Sequence, residues 1–228
     1  MARSPENSIQ LWLASTNACK LREFSEAARA RGISVKSLPA MDRLPPCVED
    51  GLTFDENARK KAVYYSRGFE GVVFADDSGL CVDAFGGAPG VFSARYAGPE
   101  ASDDANNAKL IAELRRARGA APVEESTQSP SYAHYDCVIA LARAGRVLAV
   151  TDGRAPGVVI EHPRGSGGFG YDPHFYYPPL GQTFAELSPE VKFAVSHRGE
   201  AFRKLLDGIE DLALGGLRPR GAQSPVLF

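Results

Sequence analysis

The sequence has no surplus of positive charge: 26 Lys and Arg stand against 28 Asp and Glu, for a formal net charge of -2. A general nucleic-acid binder needs a basic excess to meet phosphate backbones, so that class is set aside and any contact with a polyanion must be local. Cysteine is sparse as well. Cys19, Cys47, Cys81 and Cys137 are scattered with no Cys-x-x-Cys spacing, so neither a disulfide framework nor a zinc site is suggested. This usage fits a reducing compartment, and a cytoplasmic location is expected. No run of about 18 apolar residues exists, and Met1 to Ser8 is short and polar with no apolar signal-peptide core. The expectation is a soluble, unexported protein with no membrane and no nucleic-acid partner.

What is present is alternating strand and helix texture. Ile9 to Ala14 predicts a first strand, Ser15-Thr16-Asn17 offers capping side chains, and a helix follows from about Lys20 to Arg31. Ile33 to Val35 predicts a second strand. Pro39 to Gly51 carries three prolines and reads as a connection, and Asp55 to Arg67 resumes helical character. Val72 to Ala75 then predicts a buried strand that breaks into Asp76-Asp77-Ser78-Gly79. A helix begins at Ser102, and Gly119 to Pro130 reads as a linker. Cys137 to Leu141 and Val147 to Val150 form a candidate hairpin about Ala144-Gly145, with a third strand through Gly157 to Ile160. Ser196 is a plausible N-cap for a last helix from His197 to about Leu214. The order points to a mixed α/β fold with a long curved sheet and a ligand cleft.

An acidic pair and four constellations carry chemistry. In open α/β sheets ligands gather outside the carboxyl ends of strands, which is where Asp76 and Asp77 are expected to stand. Two like charges share a dry site only with a cation, a proton or full solvation. Ser15-Thr16-Asn17 with Lys20, at a strand-to-helix turn, suits an anion, although the same residues are ordinary helix-starting chemistry. Glu49, Glu56 and Lys61 supply further charge, and Asn57 an amide, near a helix start. Gly165, Gly167 and Gly170 match G-x-G-x-x-G, but Tyr171-Asp172-Pro173 follows where a dinucleotide fingerprint needs a helix. What remains there is a loop with an aromatic residue and an acid, suited to stacking a planar base and reading its edge. Lys192, His197 and Arg198 gather cationic donors near the last helix. Together these describe a nucleoside polyphosphate site.

The motifs Ser15-Thr16-Asn17-x-x-Lys20-x-x-Glu23, Thr53-Phe54-x-Glu56-Asn57-Ala58-x-x-Lys61-Ala62, Ala75-Asp76-Asp77-Ser78-Gly79-Leu80, Gly87 to Gly98, Gly168 to Pro173 and Ser196-His197-Arg198-Gly199 stand in order along the chain. In these, from about Ile9 to Leu214, the chain closely resembles the Ham1/RdgB-type inosine triphosphate pyrophosphatases, which act on noncanonical purine nucleotides. The resemblance implies a single domain over residues 1–228, with an elongated two-lobe α/β fold around a central nucleotide cleft, usually a homodimer. It implies hydrolysis of the purine nucleoside triphosphates ITP, dITP and XTP to monophosphate and pyrophosphate with Mg²⁺. By that resemblance Asp77 is the general base and a metal ligand, with Glu49 the second acidic partner of Mg²⁺. Ser15, Thr16, Asn17, Lys20 and Lys61 would hold phosphate. Ser78, Phe169, Gly170, Tyr171, Asp172, Lys192, His197 and Arg198 would complete the nucleotide pocket.

Asp76 is expected to support rather than react, because adjacent residues on an extended chain point to opposite sides. One departure from the family pattern concerns Cys19, which stands where a glycine usually precedes the lysine. If that position needed φ > 0 or a close backbone approach, a cysteine side chain there would be strained. A pyrophosphatase of the Maf-like group acting on other nucleotides, and a nucleotide sensor without turnover, are the competing readings.

Overall fold

The computed structural model describes residues 9–119 and 131–215, so residues 120–130 of the expected linker lie outside the described residues. Seven strands form one mixed sheet: β1 (Gln10–Leu13), β2 (Ser34–Ser37), β3 (Val72–Val82), β4 (Tyr132–Arg143), β5 (Arg146–Val159), β6 (Phe175–Tyr177) and β7 (Gln182–Thr183). Five helices accompany them: α1 (Ala18–Arg29), α2 (Phe54–Ser66), α3 (Asp103–Arg118), α4 (Pro189–Val195) and α5 (His197–Gly215). Spatial order is β2-β1-β3-β4-β5-β6-β7; β1 runs parallel to β2 and β3, and every other pair is antiparallel.

The helices start where side chains satisfy their first amides. Asn17 accepts from the amides of Cys19 and Lys20 ahead of α1. Thr53 and Glu56 form a reciprocal capping box for α2, and Ser102 caps α3. Cys19 therefore sits inside the first helical turn and needs no left-handed backbone, so the expected backbone strain is not there.

Two boundaries differ from those the sequence predicts. β3 does not break at Asp76 but runs on to Val82, because β4 pairs with it continuously from Val73↔Ala142 to Val82↔Ala133. Long-range pairing outweighs the turn preference of Asp-Asp-Ser-Gly. The expected separate strand at Gly157 is the far end of β5, a 14-residue strand. Gly153 in that strand is a point of close approach: a Cβ there would lie 2.2 Å from the His197 carbonyl oxygen, so its absence lets the start of α5 settle on the sheet.

The core covers both faces of the β1–β3–β4 region. On one face Phe24 of α1 and Phe202 and Leu205 of α5 pack on Leu11, Leu13, Phe74 and Ile139. On the other, Ala58 and Ala62 of α2 lie over Val73, Ala75 and Ala140. A third cluster, around Phe175, Phe184, Tyr135 and Leu110, fills the region beyond Leu80. Residues of β3 therefore alternate between an α1/α5 side and an α2 side.

Candidate active site

β1 stops early, and that creates the site. Its pairing with β3 ends at Leu13↔Phe74, with the Ala14 amide donating to the Phe74 carbonyl at 2.9 Å. β3 continues past this point with no β1 residue beside it. Asp76, Asp77 and Ser78 consequently stand just beyond the carboxyl end of β1, in the middle of β3 rather than at its end. Because β1 lies between β2 and β3 in space, this is a point where strand order reverses, the usual ligand crevice of an α/β sheet. The acids line a crevice, and the strand whose end makes it is β1 rather than the Val72–Ala75 run expected from the sequence.

Two adjoining cavities open there. One, of about 490 Å³, is lined by Ser15, Thr16, Lys20, Glu49, Lys61, Asp76, Asp77 and Ser78. The other, of about 240 Å³, is lined by Asn17, Lys20, Ser78, Phe169, Gly170, Tyr171, Asp172, Lys192, His197 and Arg198. Lys20 and Ser78 line both, so the two are compartments of one cleft. Every residue assigned to the site from the sequence lines one of them.

The adjacent acids have opposite fates. Asp76, on the α1/α5 side, receives Lys20 Nζ at 2.8 Å and lies 3.6 Å from Arg198 Nε. Burial alone would raise its pKa, but Lys20 and Arg198 outweigh that and hold the carboxyl well below the usual range. Asp77, on the α2 side, takes Lys61 Nζ at 3.2 Å, and Lys61 also donates to Glu49 Oε2 at 2.9 Å. Burial raises the Asp77 pKa above the usual value; Lys61 opposes this and Glu49 adds to it. Its Oδ2 is buried with no partner. A buried oxygen without a partner is the kind of atom that a ligand, water or metal satisfies.

The second compartment is held by a row of alternating charge. Arg198 donates to Glu23 at 2.9 Å and to Ser78 Oγ at 3.2 Å. Glu23 also lies 3.4 Å from Lys192, whose ammonium donates to Asp172 at 2.6 Å. Asp172 accepts from the Phe169 amide at 2.8 Å as well, fixing the glycine loop from within. Gly168, at φ +71°, could carry no side chain, since a Cβ there would fall 2.0 Å from Asp172 Oδ2. Phe169 lies beneath the Lys192 ammonium and the Arg198 guanidinium, at 4.7 and 5.2 Å from its ring centre. Tyr171 is buried, and its hydroxyl donates to the Ser93 carbonyl at 2.7 Å, so it braces the wall. His197 stacks on Tyr135 at 4.6 Å with rings 7° from parallel. Burial, then the neighbouring Arg198 and Lys192, push its pKa well below the usual value, leaving a neutral imidazole.

Several members of this site were given no role from the sequence, although Glu23 and Asn57 stand within its motifs. Glu23 lies three residues after Lys20 on α1, and Asn57 lies four before Lys61 on α2, where each shares a helix face with an assigned residue. Asp103 accepts from the Gly170 amide at 2.6 Å, and Tyr135 arrives from β4. No local pattern marks these last two.

Glu49 and Asp77 fit a divalent cation. They are two carboxylates, one with the orphaned Oδ2, beside a cavity wide enough for phosphates, and Mg²⁺ typically takes only one or two protein carboxylates. A separate group of Cys81, His134 and Asp136 also brings metal-capable atoms within 4.8 Å of one another. There Arg154 already holds both Asp136 oxygens, at 2.6 and 2.8 Å, and burial with Asp136 pushes the Cys81 thiol up to about 11.

Fold and site together define an α/β protein with a two-compartment polar cleft, acidic and cationic at one end and aromatic at the other. The profile of the Ham1 family matches residues 11–208, and the chain belongs to that family. A dITP/XTP pyrophosphatase of Geobacillus kaustophilus is 46% identical over 206 residues, spanning 90% of this chain and 97% of its own. One from Geobacter sulfurreducens is 46% identical over 198 residues, spanning 87% and 95%. Among solved structures, a HAM1 protein from Coxiella burnetii superposes with a TM-score of 0.76 at 38% identity, covering 89% of this chain and 99% of its own.

Proposed function

We propose that this protein is a hydrolase that cleaves the noncanonical purine nucleotides dITP, XTP and ITP to the nucleoside monophosphate and pyrophosphate. The observation that carries this is the Asp77 carboxylate, with its unpartnered Oδ2, in a cavity with cationic groups that adjoins, across Lys20 and Ser78, a cavity with an aromatic wall. The names of the relatives at 46% identity support the substrate class.

In this reading the triphosphate lies against Ser15, Thr16, Lys20 and Lys61, and the base enters beside Phe169. Glu49 and Asp77 would hold Mg²⁺, which when bound supplies charge neutralisation on the phosphate oxygens. Asp77 accepts the proton of the attacking water through Oδ2. Its raised pKa brings it nearer the pH at which it works, which makes it a better general base than an exposed aspartate. Lys20 and Lys61 offset the charge that grows on the departing pyrophosphate. Asp76, already neutralised by Lys20 and Arg198, keeps those cations in place and takes no proton.

Base choice follows from donors. Hypoxanthine and xanthine present an acceptor oxygen at position 6 where adenine presents an amine. Neutral His197 and the Arg198 guanidinium supply N–H groups in the base compartment that favour the oxygen. The same reading takes the working form to be a cytoplasmic homodimer; among the described residues no helix is long and apolar enough to cross a membrane. Product analysis tests the reaction. With ITP and Mg²⁺ the products are IMP and pyrophosphate, and Asp77→Asn abolishes their formation; IDP and phosphate as products would overturn the assignment.

A further inference from the structure

The Lys61 ammonium bridges the two carboxylates that the proposed function gives to Mg²⁺, at 2.9 Å from Glu49 and 3.2 Å from Asp77. Its side chain is only 11% exposed, so the bridge is not a loose surface pair. The frame around it is fixed from both sides. Asn57, one turn earlier on α2, accepts from the Gly51 amide at 2.9 Å, and a Cβ on Gly51 would fall 2.7 Å from that Asn57 oxygen. Arg95 donates to the Glu49 backbone carbonyl at 3.2 Å, and Lys60 pairs with Asp50. The loop from Glu49 to Gly51 is thereby tied to α2 and to Arg95, and the Glu49 carboxylate, on this anchored backbone, meets Asp77 through the one Lys61 ammonium. Two carboxylates so placed repel unless a cation lies between them, and the cation present is Lys61.

We propose that Lys61 is an internal counter-ion that fills the charge deficit of the Glu49/Asp77 pair until nucleotide arrives, and so makes divalent-ion binding depend on the triphosphate. The proposal rests on the reading of Glu49 and Asp77 as the metal pair. In the free protein a divalent ion must enter against an ammonium in contact with both ligands. When a triphosphate occupies the cavity that these residues line with Ser15, Thr16 and Lys20, its oxygens draw the ammonium off the carboxylates, and the pair becomes available to the ion. Metal and nucleotide then reinforce each other's binding by the same factor, as linkage requires. The biological consequence is that the acid pair stays half neutralised and binds divalent ions weakly except when substrate is present.

The test is binding of Mn²⁺ alone, followed by electron paramagnetic resonance of the free ion, to the folded full-length protein without nucleotide. Lys61→Met keeps the bulk and removes the charge; Lys61→Gln is a second neutral variant should the first fold poorly. At an effective dielectric of about 20, a unit charge within about 4 Å acts with several kcal/mol, so Mn²⁺ affinity is expected to rise at least ~10-fold in either neutral variant. Lys61→Arg, which keeps the charge, is expected to stay near the wild-type affinity. A nonhydrolysable ITP analogue should tighten Mn²⁺ binding in the wild type, and by a much smaller factor in the neutral variants. Unchanged or weaker Mn²⁺ binding in both neutral variants overturns the proposal and leaves the metal-pair reading standing on nucleotide-dependent Mn²⁺ uptake. Tight Mn²⁺ binding that survives when Asp77→Asn is added to Lys61→Met overturns the metal-pair reading itself.

Discussion

Removing the Glu23 carboxylate probes the charge row without touching the reacting groups. Glu23 lines neither cavity, yet it lies between Arg198 and Lys192, whose side chains are 4% and 5% exposed. Breaking a buried ion pair from one side typically costs about 3–5 kcal/mol, because the surviving charge stays buried without its partner. Here neither cation is fully abandoned. Lys192 keeps Asp172 at 2.6 Å, and Arg198 keeps Ser78 Oγ at 3.2 Å and Asp76 at 3.6 Å. The loss for Glu23→Ala is therefore placed below the full penalty, at about 2–3 kcal/mol. With a urea m value of about 2–3 kcal/mol/M, the denaturation midpoint should fall by about 1 M at unchanged m. In steady-state assays KM for ITP should rise ~10-fold or more while kcat changes only a few-fold, since Arg198 and Lys192 hold the base compartment rather than the water. Glu23→Gln, which preserves shape and one hydrogen bond, should show a smaller effect of the same kind. An unchanged midpoint with unchanged KM, or a collapse of kcat at constant KM, would refute the reasoning.

Asp76→Asn should destabilise the protein by about 3 kcal/mol at pH 7. The Asp76 pKa is lowered on folding, so its stabilisation is present above about pH 4 and is lost as pH falls toward the lower folded value; denaturation curves of wild type and variant should converge at acid pH. Gly79→Ala would place a Cβ 2.4 Å from both the Gly90 carbonyl oxygen and Ser93 Oγ, so melting should show a loss of about 3 kcal/mol, the upper end for overpacking. The acid limb of kcat/KM should titrate above the ordinary carboxylate value of about 4, rising with pH as Asp77 ionises. Chelation with EDTA should abolish turnover and Mg²⁺ should restore it; full activity in chelator would count against the Glu49/Asp77 pair.

The sequence made the first half of the fold readable because its signals are local. Asn17, within the expected capping group Ser15-Thr16-Asn17, caps α1, and the Ala144-Gly145 hairpin forms where the apolar runs flank it. The extent of β3 was not readable. Asp-Asp-Ser-Gly is turn chemistry, and only pairing with β4, some 60 residues later, keeps it extended. The site shows the same division. Residues carried by short motifs, such as Lys20, Asp77 and Arg198, come together as expected. Glu23 and Tyr135 join only through the docking of α1, α5 and β4, and Asp172 proves to be the clamp that ties Lys192 to the Phe169 loop. Cys19 lies inside α1 rather than in a left-handed loop, which answers the backbone-strain half of the concern over it.

The most direct measurement is kcat/KM across a nucleotide panel with Mg²⁺, read by pyrophosphate release. The contacts to the 6-oxygen should favour ITP, dITP and XTP over ATP by ~100-fold; guanine shares that oxygen, so the lower turnover expected of GTP rests on the substrate class of the dITP/XTP pyrophosphatase relatives. Equal turnover of all five would contradict the account.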